Sequence, residues 1–294
     1  MLKFIFLCLI SLVSFSQETI QDINQLINKK SYNKAQAIVE EYLKKDKSNL
    51  DYKELLGDIY AYRKNWDKAI DTYKYLIDKK PNTANLYYKY GGVLALKARS
   101  VNKFKALGML SKIKKAFKTC LSLDSSHIES RWALIELYTS LPSFLGGSKK
   151  NALRHAIKLQ NISKLEGYLA KGYVYEYDKK PKLAKKYFML AINQSNKLNG
   201  NFDKTFRNAL HYQFGKISAT YNLHLDQGEK CLKLYLKQHT SKDGVEKAWA
   251  YYRLAQIYKL KKDMVLSRKY IDKAIKQMPN IKVFKVFRKS LSNS

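Results

Sequence analysis

The sequence predicts an all-α protein, a superhelix of about seven stacked helical hairpins closed by a C-terminal capping helix. Three observations predict it. The 294 residues include only 12 Gly and 4 Pro, while 46% are hydrophobic; so few breakers in a folding composition favour long helices over a turn-rich β protein. A pattern of small and aromatic residues recurs, with Gly91 lying 34 residues after Gly57, the period of a helix-turn-helix repeat array. Tyr is abundant at 23, and the rings fall at inter-helix positions, where packing is their first use.

Residues 1–16 read as a signal peptide. Lys3 is a short positive start, Phe4 to Val13 is nearly all apolar, and Ser14 and Ser16 suit a cut before Gln17. The apolar run falls short of the roughly 20 residues that span a bilayer. Cys8 follows Leu7, not a small residue, and belongs to the discarded segment. Residues 17–294 are then one helical domain. It opens with a degenerate first repeat over 19–48 around Ala35 and Val39, continues with repeats over about 50–280, and ends in a capping helix over 281–291. The mature chain keeps Cys120 and Cys231, both on apolar helix faces and expected as buried free thiols.

The second unit carries the motif most clearly: Leu56-Gly57-Asp58-Ile59-Tyr60, then Trp66-Asp67-Lys68-Ala69, then Tyr73 and Pro81. Gly57 and Ala69 let the first helix (A) and second helix (B) of the hairpin approach, the rings fill the space beside them, and Pro81 stops helix B. In the third unit helix A runs from about Ala84 to Arg99, and helix B carries Ile113, Phe117 and Cys120. Ile113 lies about ten residues late for the period, which marks an insertion. The fourth unit holds Trp132, Tyr138, Ala152 and Ala156. The fifth has Tyr168, Gly172 and Tyr175, then Ala184, Phe188 and Ala191. The sixth has Tyr212, Gly215, Leu232 and Tyr235, and the seventh Tyr251, Leu254, Ala255 and Tyr258, then Ser267, Ile271, Ala274 and Pro279. One such hairpin cannot bury its own apolar stripe; stacked hairpins share a continuous core and form a concave face.

On these residues the chain resembles the tetratricopeptide repeat family over nearly all of its mature length. The resemblance implies a right-handed superhelix that binds other molecules. The middle also resembles a subgroup of exported bacterial repeat proteins in which a basic segment splits the third unit, here from Arg99-Ser100-Val101-Asn102-Lys103 onward. A Pro-x-x-x-Gly-Gly turn splits the fourth, here Pro142 to Ser148. The resemblance implies a binding style and no named partner.

Two surfaces are candidates for function. The family's concave helix-A positions map to Tyr88, Trp132, Tyr173, Tyr212, Trp249 and Tyr252, interspersed with Glu54, Asp58, Glu129, Glu136 and Glu176. Aromatic anchors with a few charges suit capture of a protein segment. The family's Lys/Arg/Asn clamp for acidic C-termini is absent from these positions. The second surface is the split third unit. From Lys79 to Leu123 there is no Asp or Glu, and Lys97, Arg99, Lys103, Lys105, Lys112, Lys114, Lys115 and Lys118 alternate with Val101, Phe104, Leu107, Met109 and Leu110. This pattern is expected either to meet an anionic envelope surface or to be a helix extension with solvated lysines.

The net charge of +32 favours anionic partners. For an exported chain, periplasmic or secreted, these are acidic proteins, anionic lipid or envelope polymer, not nucleic acid. No catalytic residues, cofactor or metal site are expected. The five histidines form no HExxH and no ligand pair at helical spacing, no serine lies in a nucleophile elbow, and Gly146-Gly147-Ser148-Lys149 is not a phosphate loop.

Overall fold

The structure is a computed structural model and describes residues 20–197, 207–240 and 243–291. The expected signal peptide lies outside them. Among the described residues there are fifteen α-helices and no strand. In chain order they are α1 (20–28), α2 (Tyr32–Lys45), α3 (Leu50–Tyr62), α4 (Trp66–Lys79), α5 (Ala84–Ser100), α6 (Lys103–Leu123), α7 (Ile128–Ser140), α8 (Lys149–Ile162), α9 (Lys164–Tyr177), α10 (Pro181–Asn196), α11 (Asn208–Tyr221), α12 (Leu225–Gln238), α13 (Lys247–Leu260), α14 (Met264–Gln277) and α15 (Lys282–Ser290). They pair into seven hairpins followed by the single helix α15. Two compact units result, residues 1–155 and 156–294, divided inside α8.

Helix starts follow local chemistry. Asn49 accepts a hydrogen bond from the Tyr52 amide at 3.2 Å, Asn102 from Lys105 at 3.0 Å, Ser163 from Glu166 at 3.3 Å and Asp263 from Leu266 at 2.8 Å. Each satisfies an N–H that the first turn leaves orphaned. Pro181 opens α10, where its missing N–H costs nothing. The A-to-B turns of four hairpins place a lysine in the left-handed region: Lys30 (φ 61°), Lys64 (61°), Lys179 (55°) and Lys262 (63°). That conformation usually falls to Gly or Asn.

In the first unit the degenerate repeat is a true hairpin. Ile23, Ile27, Ala35 and Val39 are fully buried and share a core with Tyr52 and Ile59. Tyr42 stacks on Tyr52 with centroids 4.7 Å apart. A helix-A glycine sets the approach of the two helices in each of the next two hairpins. A methyl on Gly57 would stand 3.1 Å from the Tyr73 ring, and one on Gly91 3.0 Å from the Phe117 ring, so both helix pairs are drawn to the closest approach that a side chain would obstruct.

Tyr73 follows Gly57 by 16 residues, whereas Phe117 follows Gly91 by 26. The ten extra residues lengthen the third hairpin at its tip: α5 has 17 residues and α6 has 21, against 13 and 14 in α3 and α4. None of residues 97–112 is buried, and the α6 core begins at Ile113. The insertion is therefore a helix extension, with its lysines on the outside.

The turn after α7 is local as well. Ser143–Leu145 form one 3-10 turn, Gly146 takes φ 82°, and Ser148 accepts the Asn151 amide at 3.2 Å to cap α8. In the second unit, Leu232, Tyr235, Ala250, Leu254 and Tyr258 form one core cluster. Ala248, Tyr252, Ala255, Ile271 and Ala274 form another, which α15 closes with Phe284 and with Leu291 just beyond it. Cys120 and Cys231 are buried free thiols, and burial raises the Cys120 pKa.

Candidate functional site

In the first unit the helix-A face is built across hairpins, from α3, α5 and α7. Lys89 of α5 reaches back one repeat and bonds Glu54 and Asp58 of α3, each at 2.7 Å. Tyr73 donates its hydroxyl to Asp58 at 2.6 Å. Burial disfavours the Lys89 ammonium, but the two carboxylates outweigh it and its pKa rises. Burial, with Asp58 nearby, pushes the Tyr62 phenol up to about 12. Next along the row, Tyr88 is half-buried and leans on His127, centroids 5.0 Å apart, and on Phe117. His127 in turn caps α7 by accepting the Ser130 amide at 3.2 Å. Trp132 is half-buried one repeat further on. Glu136 keeps exposed surface, yet desolvation raises its pKa, with the Arg99 charge opposing.

In the second unit the face comes from α9, α11 and α13. Tyr173 is half-buried and lies 5.1 Å from Tyr177, itself 53% exposed. Glu176 accepts bonds from Lys216 at 3.3 Å and from the Tyr221 hydroxyl at 3.0 Å, both on the next helix A. Tyr212 is half-buried against Tyr235; burial raises its pKa and Arg253 works against that rise. The last two positions differ. Tyr252 is 7% exposed and packs on Phe284 and Phe287, and Trp249 meets Phe284 edge-on at 4.9 Å. Tyr252, expected on the groove, is corrected to a core residue under α15, with Trp249 packed at its edge.

The basic positions also separate. Lys97 is paired with Asp67 of α4. Lys114 is half-buried, and its ammonium donates to the Leu145 carbonyl at 3.3 Å and the Gly146 carbonyl at 3.1 Å, holding the turn after α7. These two are occupied in structure, which corrects the expectation that they are available to a ligand. Arg99, Lys103, Lys105, Lys112, Lys115 and Lys118 are exposed. Among the described residues no group of three or more His, Cys, Asp or Glu is placed to hold a metal ion, and no helix is long and apolar enough to cross a membrane.

No protein-family model matches this chain, and no curated protein matches it by sequence. Solved structures do. A tetratricopeptide repeat protein from Parabacteroides merdae aligns over 94% of this chain and 98% of its own, with a TM-score of 0.53 at 13% identity. The chain has the tetratricopeptide repeat fold. A thermophilic tetratricopeptide repeat protein of Thermus thermophilus aligns over 62% of this chain and 92% of its own (TM-score 0.50, 16% identity). PilF of Pseudomonas aeruginosa aligns over 82% and 97% (TM-score 0.50, 13% identity).

In this repeat fold, equivalent positions of neighbouring hairpins face one another, which explains what the sequence reading missed. Glu54, Asp58 and Glu176 looked like free groove charges, but lysines one repeat on neutralise them. The signal was a pair spacing near the period: Asp67 to Lys97 spans 30 residues, Asp58 to Lys89 spans 31 and Glu229 to Lys261 spans 32. At the last of these, burial raises the Glu229 pKa, but bonds from Lys233, Lys261 and Tyr258 outweigh it and hold the carboxyl at about 2.

Proposed function

We propose that the protein is an exported binding scaffold that captures a segment of a partner protein on its helix-A faces, without bond chemistry. The observation that carries this reading is the set of half-buried rings on those faces: Tyr88 and Trp132 in the first unit, Tyr173 and Tyr212 in the second. Neighbouring rings brace Tyr88, Tyr173 and Tyr212 on one side, and each keeps accessible surface on the other. Rigid aromatic surface that needs little ordering on binding is the usual source of affinity at protein interfaces. The lysine bridges neutralise acids along the same faces, so a partner meets paired charges and open rings. The fold itself supports the reading, since stacked hairpins supply extended concave surfaces. The short apolar stretch of Phe4 to Val13 after Lys3 supports export to the periplasm or beyond.

Photo-crosslinking tests it. A crosslinker placed at Tyr173 or at Tyr88 yields one discrete protein adduct in envelope extract. The Trp132→Ala/Tyr212→Ala chain loses that partner, and added salt changes the yield little. Adducts that arise equally from positions on helix B, or that survive loss of the rings, overturn the groove reading.

A further inference from the structure

We propose that the tip of the α5–α6 hairpin docks on an anionic lipid surface, with Phe104 and Phe144 entering the headgroup layer and the lysines of α6 meeting the lipid phosphates. The surface is separate from the helix-A rings and does not depend on them. Phe104 is 88% exposed and Phe144 is 84% exposed, in a protein that otherwise buries or half-buries its phenylalanines among the described residues. At 100° per residue along α6, Phe104, Leu107, Ser111, Lys115 and Lys118 fall on one side, opposite the buried Ile113, Ala116, Phe117 and Cys120. Lys103 and Lys112 flank that side, Lys105 lies further round the helix at its exposed first turn, and all three are exposed. No acid lies between Lys79 and Leu123 to offset them. Lys114 grips the Leu145 and Gly146 carbonyls and so holds the turn carrying Phe144 alongside α6. Two elements are thereby joined into one basic surface with a free ring on each.

The chemistry selects lipid as the occupant. Rings that project into solvent suit a soft interface, which takes apolar side chains without shape complementarity, while nearby cations meet the phosphates. An acidic protein would reward the charges and leave two phenyl rings without a matching cavity.

The test is sedimentation of the full chain with vesicles of phosphatidylglycerol and phosphatidylcholine, beside vesicles of phosphatidylcholine alone. The expected result is binding to the anionic vesicles only, released by salt. Lys103/Lys105/Lys112→Glu lowers partitioning by more than about 100-fold, since neutralising three cations at roughly fivefold each already gives that loss and reversal adds to it. Phe104→Ala/Phe144→Ala lowers it roughly tenfold. All five side chains are exposed, and circular dichroism confirms that the variants fold. Lys185→Glu/Lys186→Glu, on the exposed side of α10, serves as the charge control and leaves partitioning within about twofold. Equal binding to both vesicle types, no loss in the phenylalanine variant, or an equal loss in the α10 control overturns the proposal. Capture of polyglutamate without vesicle binding overturns it in favour of an acidic protein.

Discussion

The α3–α4 and α5–α6 hairpins are cut from the same repeat, and their difference separates what the fold requires from what has been added to it. Both rest a helix-A glycine against a helix-B ring, Gly57 on Tyr73 and Gly91 on Phe117. Both have a core that ends in the same phase. The α3–α4 hairpin turns over where its core stops. The α5–α6 hairpin runs on through residues 97–112, none of them buried. In α3–α4 the charges are mixed and partly tied, through Lys89 to Glu54 and Asp58. At the tip of α5–α6 they are of one sign. The comparison says that the base of the third hairpin serves stability and its tip does not.

The strongest way to break this equivalence is to remove the two rings. Tyr73→Ala and Phe117→Ala, at 1% and 3% exposure, should each cost about 3–5 kcal/mol in denaturant unfolding; a far smaller loss at Phe117 would mean that the extended hairpin does not share the core of its neighbours. Next comes acid. Glu229 is held at about 2, against an ordinary value of 4.5. The stabilisation this implies is complete above about pH 4.5 and disappears as pH falls toward 2, amounting to about 2 kcal/mol once solvent screening of this partly exposed cluster is allowed for. Glu229→Gln should flatten that limb of the pH–stability curve, whereas loss of the tip lysines should leave it unchanged. A double-mutant cycle on Asp58→Asn and Lys89→Met should return a coupling of about 1 kcal/mol, as fits a partly buried, hydrogen-bonded pair. The smallest effect belongs to the tip. Removing residues 97–106 leaves α5 and α6 near the lengths of α3 and α4, and should shift the thermal midpoint by less than about 4 °C. A large drop there would show that the extension is part of the core after all.

The sequence was most legible where the period itself carried the information. Gly57 and Gly91 at 34 residues set the phase of the hairpins, and the lateness of Ile113 located the extra ten residues from spacing alone. The turn from Pro142 to Ser148 was readable because Pro, Gly and Ser each have one local use there. Pairings between repeats were harder to see. Lys89, Lys97, Lys216 and Lys261 are ordinary surface lysines in sequence, and only the stacking of hairpins brings acids to them. Lys114 looked like any other cation of α6 until the carbonyls of a turn 31 residues away appeared against it. Tyr252 occupies a helix-A position that faces outward in an internal repeat, and its burial depends on where α15 folds back, which periodicity does not encode.

That fold-back has a consequence for how this protein could grow. Repeat arrays lengthen by duplicating a hairpin, and a new hairpin needs an open end to stack upon. Here Phe284 seals the last repeat against Trp249 and Tyr252, and Arg268 of α14 donates to the Leu291 carbonyl at 2.8 Å to fasten the seal. A duplicated hairpin inserted before α15 would have to recreate the aromatic seat that α15 occupies. The C-terminal helix thus holds the face of the last described hairpin as an occupied seat, and any segment that stacked on Trp249 and Tyr252 would first have to displace Phe284.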